Sequence, residues 1–202
     1  AWGMEQCFRK AGLEYRSEMF SVFTEENNKI WQRIERRELT MDDLFHVRWQ
    51  AILAHLGLEA DGVEMEKEFR RLLHLTAVPV EGAEELLEYL YKKDYCLCAA
   101  SNGPYEQQIN RLKSADMLKY FDHCFVSEKI GADKPGKQFF DGCMRILPGV
   151  QPEECMMIGD SLTADIAGGK LYGMSTCWYV PSVEKYNEEK SKSGKPAEYI
   201  IH

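Results

Sequence analysis

The stretch CMMIGDSLTADIAGG, residues 155–169, contains an apolar run that ends on a glycine and an aspartate. The run predicts a buried strand over 155–159, and the small residues after it predict a helix over 163–172. Asp160 then lies at the strand tip, with Asp165 about one helical turn further on. Carboxylates this close repel each other unless a cation joins them, so the pair indicates half of a magnesium site. The alternative is that Asp165 is a helix-start charge stabilised by the helix dipole.

Strands and helices alternate around this stretch. Short apolar runs predict strands over 95–100, 123–127, 155–159 and 174–180, and helical patterns lie over 81–92, 104–118, 135–146 and 163–172. This alternation predicts an α/β fold over residues 78–202, in which a Rossmann-like parallel sheet carries helices on both faces. Because the apolar runs lack polar alternation, we expect the strands to be buried on both faces. The polar segment 181–196 predicts a loop, and 199–201 predicts the start of another strand.

Residues 1–77 predict a separate α-helical domain. No strand-like alternation interrupts this region, and apolar residues recur in it at helical spacing. The sequence from Thr40 to Asp43 resembles a capping box, with aspartate in place of the usual glutamate or glutamine. A second amphipathic helix is predicted over 64–75. Aromatic residues such as Trp49 either line a pocket or pack between the helices.

The composition argues against several classes of protein. The 202 residues are 45% hydrophobic and 29% charged, which is typical of a globular chain. The net charge of -8 disfavours nucleic-acid polymers and anionic membranes as partners, because no basic excess offsets their charge. The seven cysteines include no C-x-x-C pair, which argues against zinc ribbons and thioredoxin-like sites and favours a reducing cytoplasm. No apolar stretch approaches the length of a membrane span.

Two other predicted strand ends carry polar residues. Ser101-Asn102-Gly103 offers a hydroxyl and backbone N–H groups that can bind a phosphate oxygen, although the same residues also suit a tight turn. Lys134 precedes Pro135, which restricts the lysine backbone. A lysine held there can neutralise a phosphoryl group and a neighbouring carboxylate; the alternative is an exposed surface lysine. Because ligands bind beyond the carboxyl ends of parallel strands, we expect the three strand ends to form one site.

The three strand ends together resemble a known family. The following motifs, in this order and spacing, resemble motifs II, III and IV of the haloacid dehalogenase-like (HAD) hydrolases: Ser101-Asn102, Lys134-Pro135 and Gly159-Asp160-x4-Asp165. The resemblance covers about residues 79–180, and the helical segment before it resembles the type 1 cap of that superfamily. SNGPYEQQINRL, FVSEKIGADKPGKQFF and IGDSLTADIAGGKLYGMSTCW resemble most closely the branch of pyrimidine nucleotide 5'-phosphatases that act on non-standard nucleotides.

The resemblance implies a magnesium-dependent phosphatase. In the family an aspartate attacks the phosphorus of a phosphate monoester, and water hydrolyses the aspartyl-phosphate that forms. The implied substrate is a small phosphorylated metabolite, with a nucleoside 5'-monophosphate favoured. Asp160 would be a catalytic residue that binds Mg2+, and Asp165 would bind the metal or orient its waters and Lys134.

The resemblance also implies the residues that hold the phosphate. Ser101 would donate to the transferring phosphoryl group, with the amides of Asn102 and Gly103 beside it. Lys134 would hold both the attacking carboxylate and the phosphoryl oxygens. The cap would set substrate choice by closing over the leaving group.

One motif of the family is absent from these 202 residues. Its D-x-D motif, which supplies the nucleophile and the general acid/base, follows the first, central strand, and no D-x-D occurs here. Asp42-Asp43 has no apolar strand ahead of it and is not assigned that role. Loss of a central strand would leave buried backbone groups unpaired, at about 1–3 kcal/mol each. We therefore expect the chain to begin inside the cap and to end within the last strand; the alternative is that a second copy donates the missing strand.

Two other functions stay open at this point. A sugar-phosphate phosphatase or phosphomutase would use the same fold and the same three motifs. A non-catalytic binding protein that lacks the nucleophile is the alternative from another class. The presence together of Lys134, Asp160 and Asp165 argues against the binding protein, because a decayed site has no physical reason to keep them.

Overall fold

The computed structural model describes residues 1–36, 38–180, 186–187 and 197–201. The chain divides into two units. Unit 1 comprises Ala1–Ala99 and Gly103–Cys124, and unit 2 comprises Ala100–Asn102 and Phe125–His202. The predicted domain boundary between residues 77 and 78 stays a prediction.

Unit 1 is helical, as expected for its first 77 residues. Within the described residues its α-helices are α1 (Trp2–Lys10), α2 (Met19–Glu35), α3 (Met41–Leu56), α4 (Gly62–Leu75), α5 (Ala83–Tyr91) and α6 (Tyr105–Ser114). The predicted capping box is confirmed at the start of α3. Thr40 Oγ1 accepts a hydrogen bond from Asp43 N at 3.1 Å, and the Asp43 carboxylate accepts one from Thr40 N at 2.8 Å. Gly57 ends α3 in the left-handed conformation that glycine adopts without strain.

The core of unit 1 lies between the four helices α1, α2, α3 and α4. It is formed by Met4, Cys7, Phe8, Met19, Trp49, Ile52, Leu53, Met65, Phe69 and Leu72. Trp49 therefore packs between the helices. One ion pair is buried within the unit, because Arg48 Nη2 lies 2.6 Å from Glu66 Oε1 and both side chains are less than one-tenth exposed. Asn27 accepts a further bond from Arg48, whose guanidinium lies over the Phe69 ring.

Five strands form two sheets within the described residues. β1 (Cys98–Ser101) pairs with β2 (His123–Val126), and a second sheet has the order β3 (Met156–Gly159), β4 (Ser175–Tyr179), β5 (Tyr199–Ile201). The second sheet is parallel, with Gly159 opposite Trp178 and Trp178 opposite Ile200. Among the described residues unit 2 contains the α-helices α7 (Ser127–Ile130), α8 (Lys137–Met144) and α9 (Gly168–Tyr172). The α/β fold and the alternation of strands and helices are confirmed.

The expectation that every strand is buried on both faces was wrong for β3. The three central residues of β4 are buried, whereas Met156 and Ile158 of β3 are 47% and 42% exposed. Among the described residues β3 pairs with β4 alone, and the face that carries these two side chains is uncovered. The predicted loop over 181–196 lies outside the described residues, apart from 186–187.

Three of the seven cysteines are small buried side chains. Cys7, Cys143 and Cys177 are all buried, and burial raises the pKa of the Cys7 and Cys143 thiols to about 12. Such thiols carry almost no thiolate at neutral pH, so we assign them to packing. In the part of the chain that the structure describes, no helix is long and apolar enough to cross a bilayer. The cytoplasmic location stays a prediction.

Replacing Arg48 with methionine should lower the free energy of unfolding by about 3–5 kcal/mol, because Glu66 would remain buried without its partner. Arg9→Met is the matched control, since Arg9 pairs with Glu5 in an exposed i,i+4 pair at 3.5 Å. The control should change stability by less than about 0.5 kcal/mol. Urea unfolding followed by circular dichroism measures both, and equal effects of the two substitutions would contradict the prediction.

Candidate active site

Lys134 is the buried charge at the centre of the candidate site. It is 7% exposed, which excludes the alternative of a surface lysine. Its Nζ donates to Asp165 Oδ1 at 2.7 Å and to the Ala100 carbonyl oxygen at 2.6 Å. An ammonium group has three N–H donors. Because no further acceptor for Nζ lies among the described residues, one donor is left for an anionic ligand.

Asn102 holds the backbone of Lys134. Its Nδ2 donates to the Lys134 carbonyl oxygen at 2.9 Å, and its Oδ1 accepts from the Lys134 amide at 2.9 Å. One side chain thus satisfies both backbone polar groups of a residue 32 positions later, directly before Pro135. The amide side chain therefore acts on the position of the lysine. The expectation that the Asn102 backbone amide faces a phosphate stays a prediction.

Asp165 completes the link to the strand tip. It is 6% exposed, and its Oδ2 accepts from the Ser161 amide at 3.1 Å while Oδ1 binds Lys134. The predicted helix is present, but its first turn, Leu162–Ala167, is π-helical. The Ser161 carbonyl oxygen accepts from both Asp165 N and Ile166 N, at 3.0 and 3.1 Å. Asp165 therefore orients Lys134; its contribution to a metal site stays a prediction.

Asp160 lies exposed directly after β3. Its backbone is fixed, because its carbonyl oxygen accepts a hydrogen bond from Trp178 Nε1 at 3.2 Å, and Trp178 is fully buried in β4. Its carboxylate makes no hydrogen bond or ion pair with any residue that the structure describes. The strand end thus presents a carboxylate on a rigid support, with both oxygens available.

Ser101 and Gly103 flank Asn102 at the end of β1. Ser101 is joined on both sides to residues that contact Lys134, and its Oγ makes only a long contact of 3.4 Å with the Asn102 carbonyl oxygen. The hydroxyl can therefore turn toward a ligand. Gly103, which belongs to unit 1, has a φ of +137°. Residues other than glycine rarely adopt this backbone conformation. Turn geometry thus accounts for the glycine, and its phosphate contact stays a prediction.

The donor set of this site fits Mg2+ in part. Magnesium prefers oxygen ligands, usually one or two carboxylates with waters and substrate phosphate. Asp160 supplies one carboxylate without a protein partner among the described residues, and Asp165 keeps a second lone pair on each oxygen. No cluster of three or more histidine, cysteine, aspartate or glutamate side chains suited to a metal occurs in the described ranges. Metal binding by these two carboxylates stays a prediction.

Residues 5–173 match the haloacid dehalogenase-like hydrolase family. The chain therefore belongs to that family, which confirms the resemblance found in the three motifs and the hydrolase class.

Curated relatives support the same assignment. HAD-hydrolase YfnB of Bacillus subtilis is 32% identical over 184 residues, which are 91% of this chain and 78% of YfnB. Pyrimidine 5'-nucleotidase PynA of Streptococcus pneumoniae is 31% identical over 88% of this chain and 75% of its own length. Pyrimidine 5'-nucleotidase YjjG of Escherichia coli is 26% identical over 87% of this chain and 77% of its own length. A crystal structure of YfnB bound to magnesium matches with a TM-score of 0.81, over 91% of this chain and 82% of YfnB.

Three contacts of the site were missed by the sequence reasoning. The Ala100 carbonyl oxygen, the Ser161 amide and the Trp178 indole all position site residues. Two of these are backbone groups, which every residue carries, so no residue pattern reveals them. Ser161 did carry a signal, because its Oγ accepts from Ala164 N at 2.9 Å as a helix N-cap does.

Replacing Gly159 with alanine should disrupt the Lys134–Asp165 pair. A Cβ atom at residue 159 would overlap the Asp165 carboxylate group, which its bonds to Lys134 and Ser161 hold in place. We expect a loss of stability of about 1–3 kcal/mol, measured by urea unfolding. Gly3→Ala is the control, because a Cβ there lies at ordinary contact distance from Phe69 in a helix, where alanine is favoured. A stabilising effect of both substitutions would contradict the prediction.

Replacing Asn102 with alanine should leave the amide and carbonyl groups of Lys134 without their partner. We expect a loss of about 2–4 kcal/mol in the free energy of unfolding, since each orphaned backbone group costs about 1–3 kcal/mol. Asn28→Ala, at an exposed position of α2, should change it by less than about 0.5 kcal/mol. Amide hydrogen exchange at Lys134 gives the local measurement. Unchanged protection of this amide in Asn102→Ala would show that the Asn102 side chain does not stabilise the Lys134 backbone.

Proposed function

We propose that this protein is a magnesium-dependent phosphatase that hydrolyses small phosphate monoesters, with nucleoside 5'-monophosphates as the favoured substrates. The observation that carries the proposal is the buried Lys134 ammonium, which keeps one N–H donor after binding Asp165 and Ala100. A buried cation with an open donor offers a strong site for a phosphoryl oxygen, because water screens it poorly.

The residues of this chain bind and orient the phosphate. Lys134 donates to a phosphoryl oxygen, and Asp165 and Asn102 keep the lysine in that position. The Ser101 hydroxyl, one residue before Asn102, donates to a second phosphoryl oxygen. The Lys134 ammonium is held in place before the substrate arrives, so little reorganisation of this charge opposes the build-up of charge in the transition state.

Asp160 would hold Mg2+, and Asp165 would bind the metal or orient its waters and Lys134. When bound, the ion neutralises charge on the phosphate and reduces its repulsion of an anionic nucleophile. The paired strand end at Gly159 and the Trp178 hydrogen bond fix the backbone of Asp160, from which the carboxylate would reach the ion.

The proposal assigns the attack to the first aspartate of a D-x-D strand, as the family resemblance implies, and that strand is not among the 202 residues. The carboxylate oxygen bonds to phosphorus as the ester P–O bond breaks, and the second aspartate protonates the leaving alcohol. The second aspartate then takes a proton from water, which attacks the aspartyl-phosphate; inorganic phosphate leaves, and both aspartates return to their starting states.

The substrate class rests on relatives. PynA and YjjG are both named pyrimidine 5'-nucleotidases, and together with the branch resemblance they favour nucleoside monophosphates. A panel of pyrimidine and purine nucleoside monophosphates and sugar phosphates ranks the substrates by kcat/KM. Higher values for sugar phosphates would favour the sugar-phosphate alternative, and isomerised phosphosugar without free phosphate would identify a mutase.

Asp160→Asn should reduce phosphate release by at least about 100-fold in the full-length protein, because the residue would lose the charge that attracts the cation. Chelation of divalent cations should abolish activity in the wild type, and added Mg2+ should restore it. Asp42→Asn, an exposed aspartate in α3, should leave the rate within about twofold. Release of phosphate from p-nitrophenyl phosphate measures all three. Full activity after both chelation and Asp160→Asn would overturn the proposal, and complete inactivity of the folded full-length protein would favour the non-catalytic alternative.

A further inference from the structure

A second candidate site lies within unit 1, apart from the residues of the candidate active site. A pocket of about 480 Å³ separates the C-terminal half of α4 from the first turn of α6. Basic side chains from one face of α4 line it: Lys67, Arg70, Arg71 and His74, at positions i, i+3, i+4 and i+7. Glu106 of α6 is the one carboxylate among the lining residues. We call this cavity the α4 pocket.

Two of the cations in the α4 pocket already have carboxylate partners. Lys67 Nζ lies 2.5 Å from Glu64 Oε1. Arg71 is bound through Nε and Nη2 to the two oxygens of Glu68, at 3.1 and 2.6 Å. These pairs offset much of the positive charge that the α4 side chains bring to the pocket. The affinity of the pocket for an anion therefore depends on its other cations.

Arg70 is different, because it forms no salt bridge with any residue that the structure describes. Its guanidinium lies 3.9 Å from the centre of the Phe45 ring and is exposed. The ring covers one face of the guanidinium and fixes its plane. The N–H donors lie along its edge, in the fork arrangement that matches two oxygens of a phosphate or carboxylate group.

His74 adds a polar wall next to this group. Its Nε2 lies 2.6 Å from Asn110 Nδ2, which ties the ring to α6. The pocket therefore has fixed sides on both helices. A volume of about 480 Å³ is within the usual range of small-molecule sites.

From this geometry we propose that the α4 pocket binds a phosphate group, either inorganic phosphate or the phosphate of a metabolite, through the edge of the Arg70 guanidinium. A tetrahedral dianion can use the two-pronged edge of Arg70 and also approach Lys67 and Arg71. Glu106 opposes the same anion. The pocket is thus a second phosphate-binding site on the helical unit, and its binding of phosphate does not depend on the candidate active site.

Titration with inorganic phosphate tests the proposal. The backbone amide signal of Gln107, which lines the pocket, is followed by NMR in the full-length protein, with sodium chloride at equal ionic strength as the blank. The signal should shift saturably with phosphate alone. Arg70→Gln should weaken the phosphate affinity at least about tenfold, the equivalent of one charged hydrogen bond. Glu106→Gln should tighten it by about two- to fivefold.

Two further variants separate geometry from charge. Arg70→Lys keeps the charge but loses the planar fork, so it should bind more weakly than the wild type and more tightly than Arg70→Gln. Lys113→Gln removes one exposed cation near the far end of α6 and should match the wild type. An equal loss in Lys113→Gln and Arg70→Gln, an unchanged affinity in a folded Arg70→Gln protein, or a shift that chloride reproduces would each overturn the proposal.

Discussion

The buried ion pair between Lys134 and Asp165 is the constraint on which the candidate site depends. Both side chains are less than one-tenth exposed, so each charge needs partners that offset the cost of its burial. Those partners come from the Ala100 carbonyl oxygen and the Ser161 amide. Three chain segments that are far apart in sequence must therefore meet at one place, and the strand ends are held there by electrostatics as well as by packing.

Among the described residues two ion pairs have both side chains buried, and only one of them points to function. Arg48 binds Glu66 through two nitrogens and Asn27 through a third, and its face lies on an aromatic ring. That charge is enclosed by the helices of unit 1, and its role is structural. Lys134 instead keeps a donor without a protein acceptor among the described residues. Burial of charge costs free energy in both pairs. Only the Lys134–Asp165 pair leaves an N–H donor that a ligand can bind.

The sequence predicted the helices and strands better than it predicted the side-chain contacts of the site. Helical spacing and the capping box at Thr40 are local signals, and both were confirmed. The alternation of strands and helices led to the three strand ends, and the lysine and Asp165 do meet. The role of Asn102 was not visible, because a side chain that clamps a backbone 32 residues later leaves no periodic pattern. The exposure of Ile158 was missed for a related reason: an apolar run reports that a strand exists, and its partners decide which faces are covered.

The π-helical turn after β3 has a consequence for how this segment tolerates changes in length. The amides of Asp165 and Ile166 share the Ser161 carbonyl oxygen as acceptor, so the turn contains one residue more than an ordinary α-helical turn would. Removing any one residue between Leu162 and Ala164 would allow regular helical bonding but rotate everything after it by roughly 100°. The acidic side chain at 165 would then point away from the ammonium group. The number of residues in this turn, more than their identity, therefore sets the direction of the Asp165 carboxylate. Natural variants should show substitutions between Leu162 and Ala164 far more often than deletions.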